Sequence, residues 1–289
     1  MADQEDLPGI ALNRPGQILL FSPVTSKLIK PDMEIPNSIF YPASVILGLC
    51  LGSFYNVCVH RYLTGQSIVH PGSHCPGCGH GLSWQENIPL LSYAVLRGRC
   101  GSCSQKINLR YPAVEALSGV LSLLLAMNLG FGAAYFIYLF FFGLLTVASF
   151  IDLEIFILPD IITLPGAGLA FLASFILPIS WQDSLLGALA GAGIFLLIQK
   201  AYLVIKKIEG LGTGDIKMML MLGALTGWQG LPILIFLSAV LGLAAALFFI
   251  KDRAGSKAMQ TPVPFGPFLA LGAIIYILWG EAIWLWYLG

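Results

Sequence analysis

A chain of 289 residues that is 57% hydrophobic and only 10% charged, with a mean hydropathy of +0.83, carries more apolar side chain than a soluble core of that size buries. Fifteen basic and fifteen acidic residues cancel, which removes the broad positive field of a nucleic-acid binder and leaves the lipid bilayer as the expected partner. The opening MADQEDLPGIALNRPGQ is acidic and lacks the basic start, short apolar stretch and small-residue cleavage site of a secretory signal, so insertion is expected to rest on later spans.

One crossing of a bilayer takes about 20 apolar residues as a helix. Runs of this kind lie near 40–60, 112–130, 133–151, 158–178, 184–205, 215–227, 230–250 and 265–287. The expected fold is therefore an all-α polytopic membrane protein of about eight transmembrane helices, with a small polar loop domain between the first two. The sixth run is short, and the alternative is one longer helix kinked at Trp228, Gly230 and Pro232. The expected division is an N-terminal tail at 1–38, a first transmembrane helix at 39–61, a loop at 62–111 and a transmembrane domain at 112–289. No internal repeat or low-complexity tract is evident.

Lys and Arg favour the cytoplasmic side of short loops. Arg61, Arg97, Arg99, Lys106 and Arg110 fall between spans one and two, Lys206 and Lys207 between five and six, and Lys251, Arg253 and Lys257 between seven and eight. Parity then puts the 62–111 segment inside the cell and the C-terminus outside. The tail would share the outer side, although its Arg14, Lys27 and Lys30 fit that placement poorly.

The same parity brings two carboxylates to one face. Span three ends ASFIDLEIFILPD, spans four and five go out and return, and span six opens GTGDIKMM, so Asp152 and Asp215 reach the same side at similar depth. Hydrocarbon does not solvate such groups, and they usually line a cavity or a reaction site. Two close carboxylates share a proton, so one can activate water while the other polarises a carbonyl, which is aspartic protease chemistry. Asp152 alone could be an interfacial helix terminus, and Asp160, after Pro159, reads as a cap of span four. An isolated GTGD also suits an ordinary turn capped by its Asp. Glu154 and Glu209 read as solvated loop charges. Lys217 either balances Asp215 or follows the cytoplasmic bias of basic residues.

The loop holds CPGC at 75–78 and CGSC at 100–103, two pairs with 21 residues between them. Each pair can form a knuckle presenting two sulfurs to one tetrahedral ion, and Cys75, Cys78, Cys100 and Cys103 together make a closed, structural zinc site. In a reducing compartment zinc is favoured over disulfides, and a redox role for one pair lacks the surrounding βαβ pattern. Nearby His70, His74 and His80 read as surface or packing residues, with replacement of one ligand as the alternative. Cys50 and Cys58 in span one read as small apolar packing residues. Such a zinc would hold about 45 residues that bury too little core to fold alone.

Taken together and in order, LGSFYNVCVHR at 51–61, the stretch from CPGC to RYPAVE at 75–115, IDLEIFILPD at 151–160, GTGDIKMM at 212–219 and PFGPF at 264–268 resemble the bacterial type IV prepilin peptidases. The resemblance begins near residue 40 and runs over nearly all that follows. It departs after Arg61, where Tyr62 and Leu63 replace the family's frequent Leu-Pro. It implies a multi-pass enzyme of the bacterial inner membrane with its active site facing the cytoplasm. Such an enzyme cuts basic leaders from prepilins and from type II secretion pseudopilins after a glycine, then N-methylates the new N-terminal residue with S-adenosylmethionine. By motif match Asp152 and Asp215 are the catalytic pair. Gly212, Gly214 and Lys217 form the supporting loop, in which the glycines let backbone approach substrate.

The methyl-donor site is not legible in the sequence. About 48 loop residues cannot hold a doubly wound nucleotide domain, and no Gly-rich strand-to-helix fingerprint is present, so the site must be built from membrane helices and the loop. Glu115 reads either as a polar wall of that site or as a helix-start packing residue. Two other functions fit parts of the pattern: a peptidase without methylation, weakened by the four cysteines, and an aspartate-dependent ion-coupled transporter. A transporter calls for carboxylates near the midplane and related halves.

Overall fold

The computed structural model describes residues 35–207, 210–252 and 264–288. Among them every extended regular element is helical. The long helices are α1 (Asn37–Thr64), α3 (Arg110–Leu129), α4 (Ala133–Ile155), α6 (Trp181–Lys206), α7 (Thr213–Asp252) and α8 (Gly266–Leu288), with α5 (Asp160–Ala173) shorter and apolar. The first six named are each long and apolar enough to cross a membrane. The loop between α1 and α3 holds a 3₁₀ turn at Gln85–Asn87 and the short α2 (Leu91–Val95). The tail, Glu209 and the basic residues Arg253 and Lys257 lie outside the described residues.

The predicted apolar runs are helical over most of their length, the fourth ending as a helix at Ala173, and α7 contains the sixth and seventh together. Its backbone leaves helical geometry at Gly227, with φ 72° and ψ 171°, a conformation open to glycine and strained for other residues. The break reverses the chain. Gly191 of α6 lies within van der Waals reach of both Met219 and Leu231, which an unbroken helix would hold about 18 Å apart. After the break, Gly230 lies against Tyr276 and Gly242 against Phe265 and Phe268, so the second arm runs back antiparallel to α8. The kink expected at Trp228, Gly230 and Pro232 is instead a turn at the residue just before them, so the sixth and seventh runs form two antiparallel arms.

Two helix groups meet along α4 and α8. In the first, α1, α3 and α4 are tied by Ser122, whose hydroxyl donates to the Ser44 carbonyl at 2.6 Å and bonds the Tyr135 hydroxyl at 2.7 Å. Satisfying these polar atoms within the bundle is what an apolar surround requires. In the second, α6 and the first arm of α7 pack backbone against backbone at Gly187 and Gly223, where any side chain would collide with the facing carbonyl. The predicted 62–111 loop yields its ends to the neighbouring helices, since α1 continues to Thr64 and α3 begins at Arg110.

Candidate functional site

Asp152 occupies the last turn of α4. Phe156 ends that helix in the left-handed conformation, its N–H returning to the Asp152 carbonyl at 2.8 Å, and Pro159 bars a helical conformation at Leu158 before it. Asp215 stands in the first turn of α7, where its N–H bonds the Gly212 carbonyl at 3.2 Å. Both carboxylates are buried and close enough for the charge of Asp152 to act on Asp215. Leu158 packs against the segment that carries each partner: a Cβ on Gly214 would stand 2.9 Å from the Leu158 Cβ, and one on Gly266 would stand 2.8 Å from its Cδ2. Gly214 thus serves the approach of two protein segments at this spot.

A third segment completes the pair. The Gly266 N–H donates to Asp152 Oδ2 at 2.9 Å from the start of α8, and a Cβ at Gly266 would lie only 2.7 Å from that oxygen. Sequence reasoning did not assign Gly266 a role, because a backbone donor has no side-chain signature. The available signal was a Gly-Pro pair opening an apolar helix, where Pro suits the first turn and the preceding N–H is left unpaired.

Two charge assignments change. Asp160 is not a cap: Lys217 Nζ lies 2.7 Å from each of its oxygens, joining the starts of α5 and α7, and Lys217 is committed there. Glu154 is not a loop charge: it lies in the last turn of α4 and pairs with Arg110 at 2.8 Å, linking this end of α4 to the start of α3.

The four loop cysteines converge with all four sulfurs within 4.8 Å of one another. The Cys75 and Cys103 sulfurs are 3.8 Å apart, matching the separation of about 3.8 Å set by tetrahedral metal–sulfur bonds of about 2.3 Å. The two halves fold alike: Cys75 N–H bonds the His80 carbonyl and Cys100 N–H the Gln105 carbonyl, each beside an isolated antiparallel bridge, His74 to Gly81 and Arg99 to Lys106. Knuckle N–H groups aimed at the first sulfur of each pair lower its pKa. Those of Cys78 and Gly77 bring Cys75 to about 7, and those of Cys103 and Ser102 lower Cys100, which favours thiolate ligands. No described histidine joins the cluster: His80 pairs with Glu86 at 3.2 Å, and His74 faces the Gly72 carbonyl. Glu86 is held below the ordinary carboxylate range, first by the Ser83 N–H and then by the Ser83 hydroxyl and His80. Cys58 packs against the core, whereas Cys50 is exposed on α1.

Between this loop and the adjoining ends of α1 and α3 lies a cavity of about 370 Å³. Glu115 forms part of its wall while accepting the Leu90 N–H at 2.8 Å, so it both lines the cavity and anchors the loop to α3.

Residues 46–129 match the model of the bacterial peptidase A24 N-terminal domain, and residues 139–247 that of the type IV leader peptidase family. A prepilin leader peptidase/N-methyltransferase of Aeromonas hydrophila is 36% identical over 280 residues, covering 86% of this chain and 94% of that protein. One from Pseudomonas aeruginosa is 37% identical over 272 residues, covering 84% and 92%. No solved structure gives a significant match.

Proposed function

This chain belongs to the type IV leader peptidase family, and from that premise we propose that it cleaves the leader from prepilins and pseudopilins and then N-methylates the new N-terminus with S-adenosylmethionine. The observation that best supports the reading is the convergence of Asp152, Asp215 and the Gly266 N–H at the helix ends that also adjoin the four-cysteine loop. Asp152 is the base. With Oδ2 held by Gly266, its Oδ1 takes a proton from water as the water oxygen attacks the scissile carbonyl. Asp215 carries the shared proton and donates a hydrogen bond to that carbonyl. Helix ends at the membrane edge suit a substrate whose leader is basic and whose following segment is an apolar helix.

The division of labour follows the two sites: residues 112–289 hold the peptidase chemistry, and the loop at 62–111 serves methylation. Cys75, Cys78, Cys100 and Cys103 would hold a zinc ion with four protein ligands, a structural role that would tie together a loop with little core of its own. S-adenosylmethionine, when bound, supplies an electrophilic methyl group. The membrane is the bacterial inner membrane, with the loop, Asp152 and Asp215 on its cytoplasmic side, as the basic residues of the loops favour. A transporter is the weaker reading, since both carboxylates sit at one end of the bundle.

Purified protein incubated with a prepilin, with and without S-adenosylmethionine, tests this by the mass of the product N-terminus. Leader loss in both samples and a further methyl group only with the donor are expected. An uncut substrate would overturn the peptidase assignment, and cutting without methylation would reduce the function to a peptidase.

A further inference from the structure

The cavity under the loop has a chemistry that the dyad does not use. Its volume, about 370 Å³, falls within the range of small-molecule sites. Its wall combines both charge signs with an apolar face: Glu86 and Glu115, the cations Arg61, Lys106 and Arg110, and the side chains of Tyr93 and Leu96. One of these groups is incomplete. Arg110 pairs through one terminal nitrogen with Glu154, yet its Nε is buried without any hydrogen-bond partner. A buried guanidinium N–H left unpaired costs free energy that an incoming acceptor would recover.

Given the methyl transfer proposed above, on which this inference rests, we infer that the cavity between the four-cysteine loop and the ends of α1 and α3 binds S-adenosylmethionine. Arg110 receives the carboxylate of its amino-acid part, and Glu86 and Glu115 face its cationic groups. An amino-acid sulfonium joined to a nucleoside carries one carboxylate, an ammonium, a sulfonium and a flat heterocycle. The wall offers a partner for each: a guanidinium, two carboxylates and an apolar side with an aromatic ring.

The position suits the reaction order. Arg110 reaches Glu154 in the last turn of α4, which also holds Asp152, so the cavity wall and the aspartate pair are tied to the same end of that helix. That amine, in its neutral form, bonds to the methyl carbon as the carbon–sulfur bond breaks. The bonding pair passes to sulfur, the sulfonium becomes a thioether, and the amine proton leaves to water. The cavity lining includes neither Asp152 nor Asp215.

The test is binding, read apart from turnover. Full-length protein in detergent is titrated with S-adenosylmethionine by calorimetry, and irradiated with the methyl-tritiated compound before peptide mapping. Label within residues 73–115 is expected. Arg110→Met, which removes the unpaired donor, and Ser92→Trp, which fills the cavity without altering a charge, should each raise Kd by about tenfold or more at unchanged metal content. Label confined to α5, α6 or α7, or wild-type affinity in both variants, would overturn the location while leaving methyl transfer intact. A wild-type protein that binds no S-adenosylmethionine would instead overturn the donor named for the reaction, and the site with it.

Discussion

The four-cysteine loop and the aspartate pair are assembled in opposite ways. In the loop, each ligand pair spans four consecutive residues, and each knuckle closes through hydrogen bonds to residues no more than five positions away. The aspartate pair has no local closure. Asp152 and Asp215 stand on different helices, and the donor to Asp152 comes from Gly266, 114 residues along the chain. A local device can fail with the bundle intact, whereas a long-range one depends on the bundle and fails by small displacements. This contrast predicts which substitutions damage which activity.

The largest effect should come from the pair itself. Asp152→Asn and Asp215→Asn keep size and most hydrogen bonding but leave one carboxyl where the chemistry needs a base and an acid. Each should lower prepilin cleavage by about 10³-fold or more, with insertion and metal content unchanged. Supplied with precleaved pilin, both variants should still methylate it. Loss of that activity would point to a single shared site and dissolve the contrast. Near wild-type cleavage by either variant would break the pairing.

Next comes the local device. Replacing Cys75 and Cys78 together by Ser should release the metal, measured as zinc per chain, and reduce methylation more than cleavage, because the helix ends holding Asp152 and Asp215 remain. Equal loss of both activities would make the loop a folding element of the whole protein. Cys50→Ser, at an exposed position on α1, should leave metal content unaltered.

A smaller but diagnostic effect is expected at Gly266. In Gly266→Ala the added Cβ meets Asp152 Oδ2 at 2.7 Å, and carboxylate or helix must shift by several tenths of an ångström. A misplacement of that order should lower kcat for cleavage by about 10- to 100-fold with little change in KM. Cleavage at the wild-type rate would show that α8 does not position the base.

The same contrast explains what was legible beforehand. The convergence of the four cysteines was readable because their spacing is itself the geometry, and the burial of Asp152 and Asp215 at one end of the bundle because a charge near the edge of an apolar run is costly and parity assigns it a side. Gly266 was not readable, since its contribution is a main-chain N–H that reaches Asp152 only after α8 has docked. The reversal at Gly227 was ambiguous for a related reason. Two short apolar runs separated by Gly, Trp and Pro fit either a kinked helix or a hairpin, and only packing against α6 and α8 decides. Asp160 was misassigned because a carboxylate after Pro resembles a cap until a partner 57 residues away arrives. The cavity under the loop arises from two separately folded surfaces, and no residue pattern announces it.

The smallest predicted effect concerns the Asp160–Lys217 pair. Lys217 grips both Asp160 oxygens at 2.7 Å, fixing the start of α7, two residues from Asp215, to the start of α5, two residues from Leu158. The geometry is good, but the side chains are 32% and 59% exposed, so water screens much of the attraction and the pair is worth no more than about 1 kcal/mol. Its influence on cleavage should therefore be positional and modest, because Leu158 against Gly214 still holds the segments together. Asp160→Asn and Lys217→Met should each slow cleavage by roughly five-fold or less, an amount in keeping with that energy. The double variant should be no slower than the slower single, since each single already breaks the same contact. Additive losses would mean that Lys217 acts on Asp215 directly. A hundred-fold loss in Asp160→Asn would place Asp160 in the chemistry and enlarge the long-range site from two carboxylates to three.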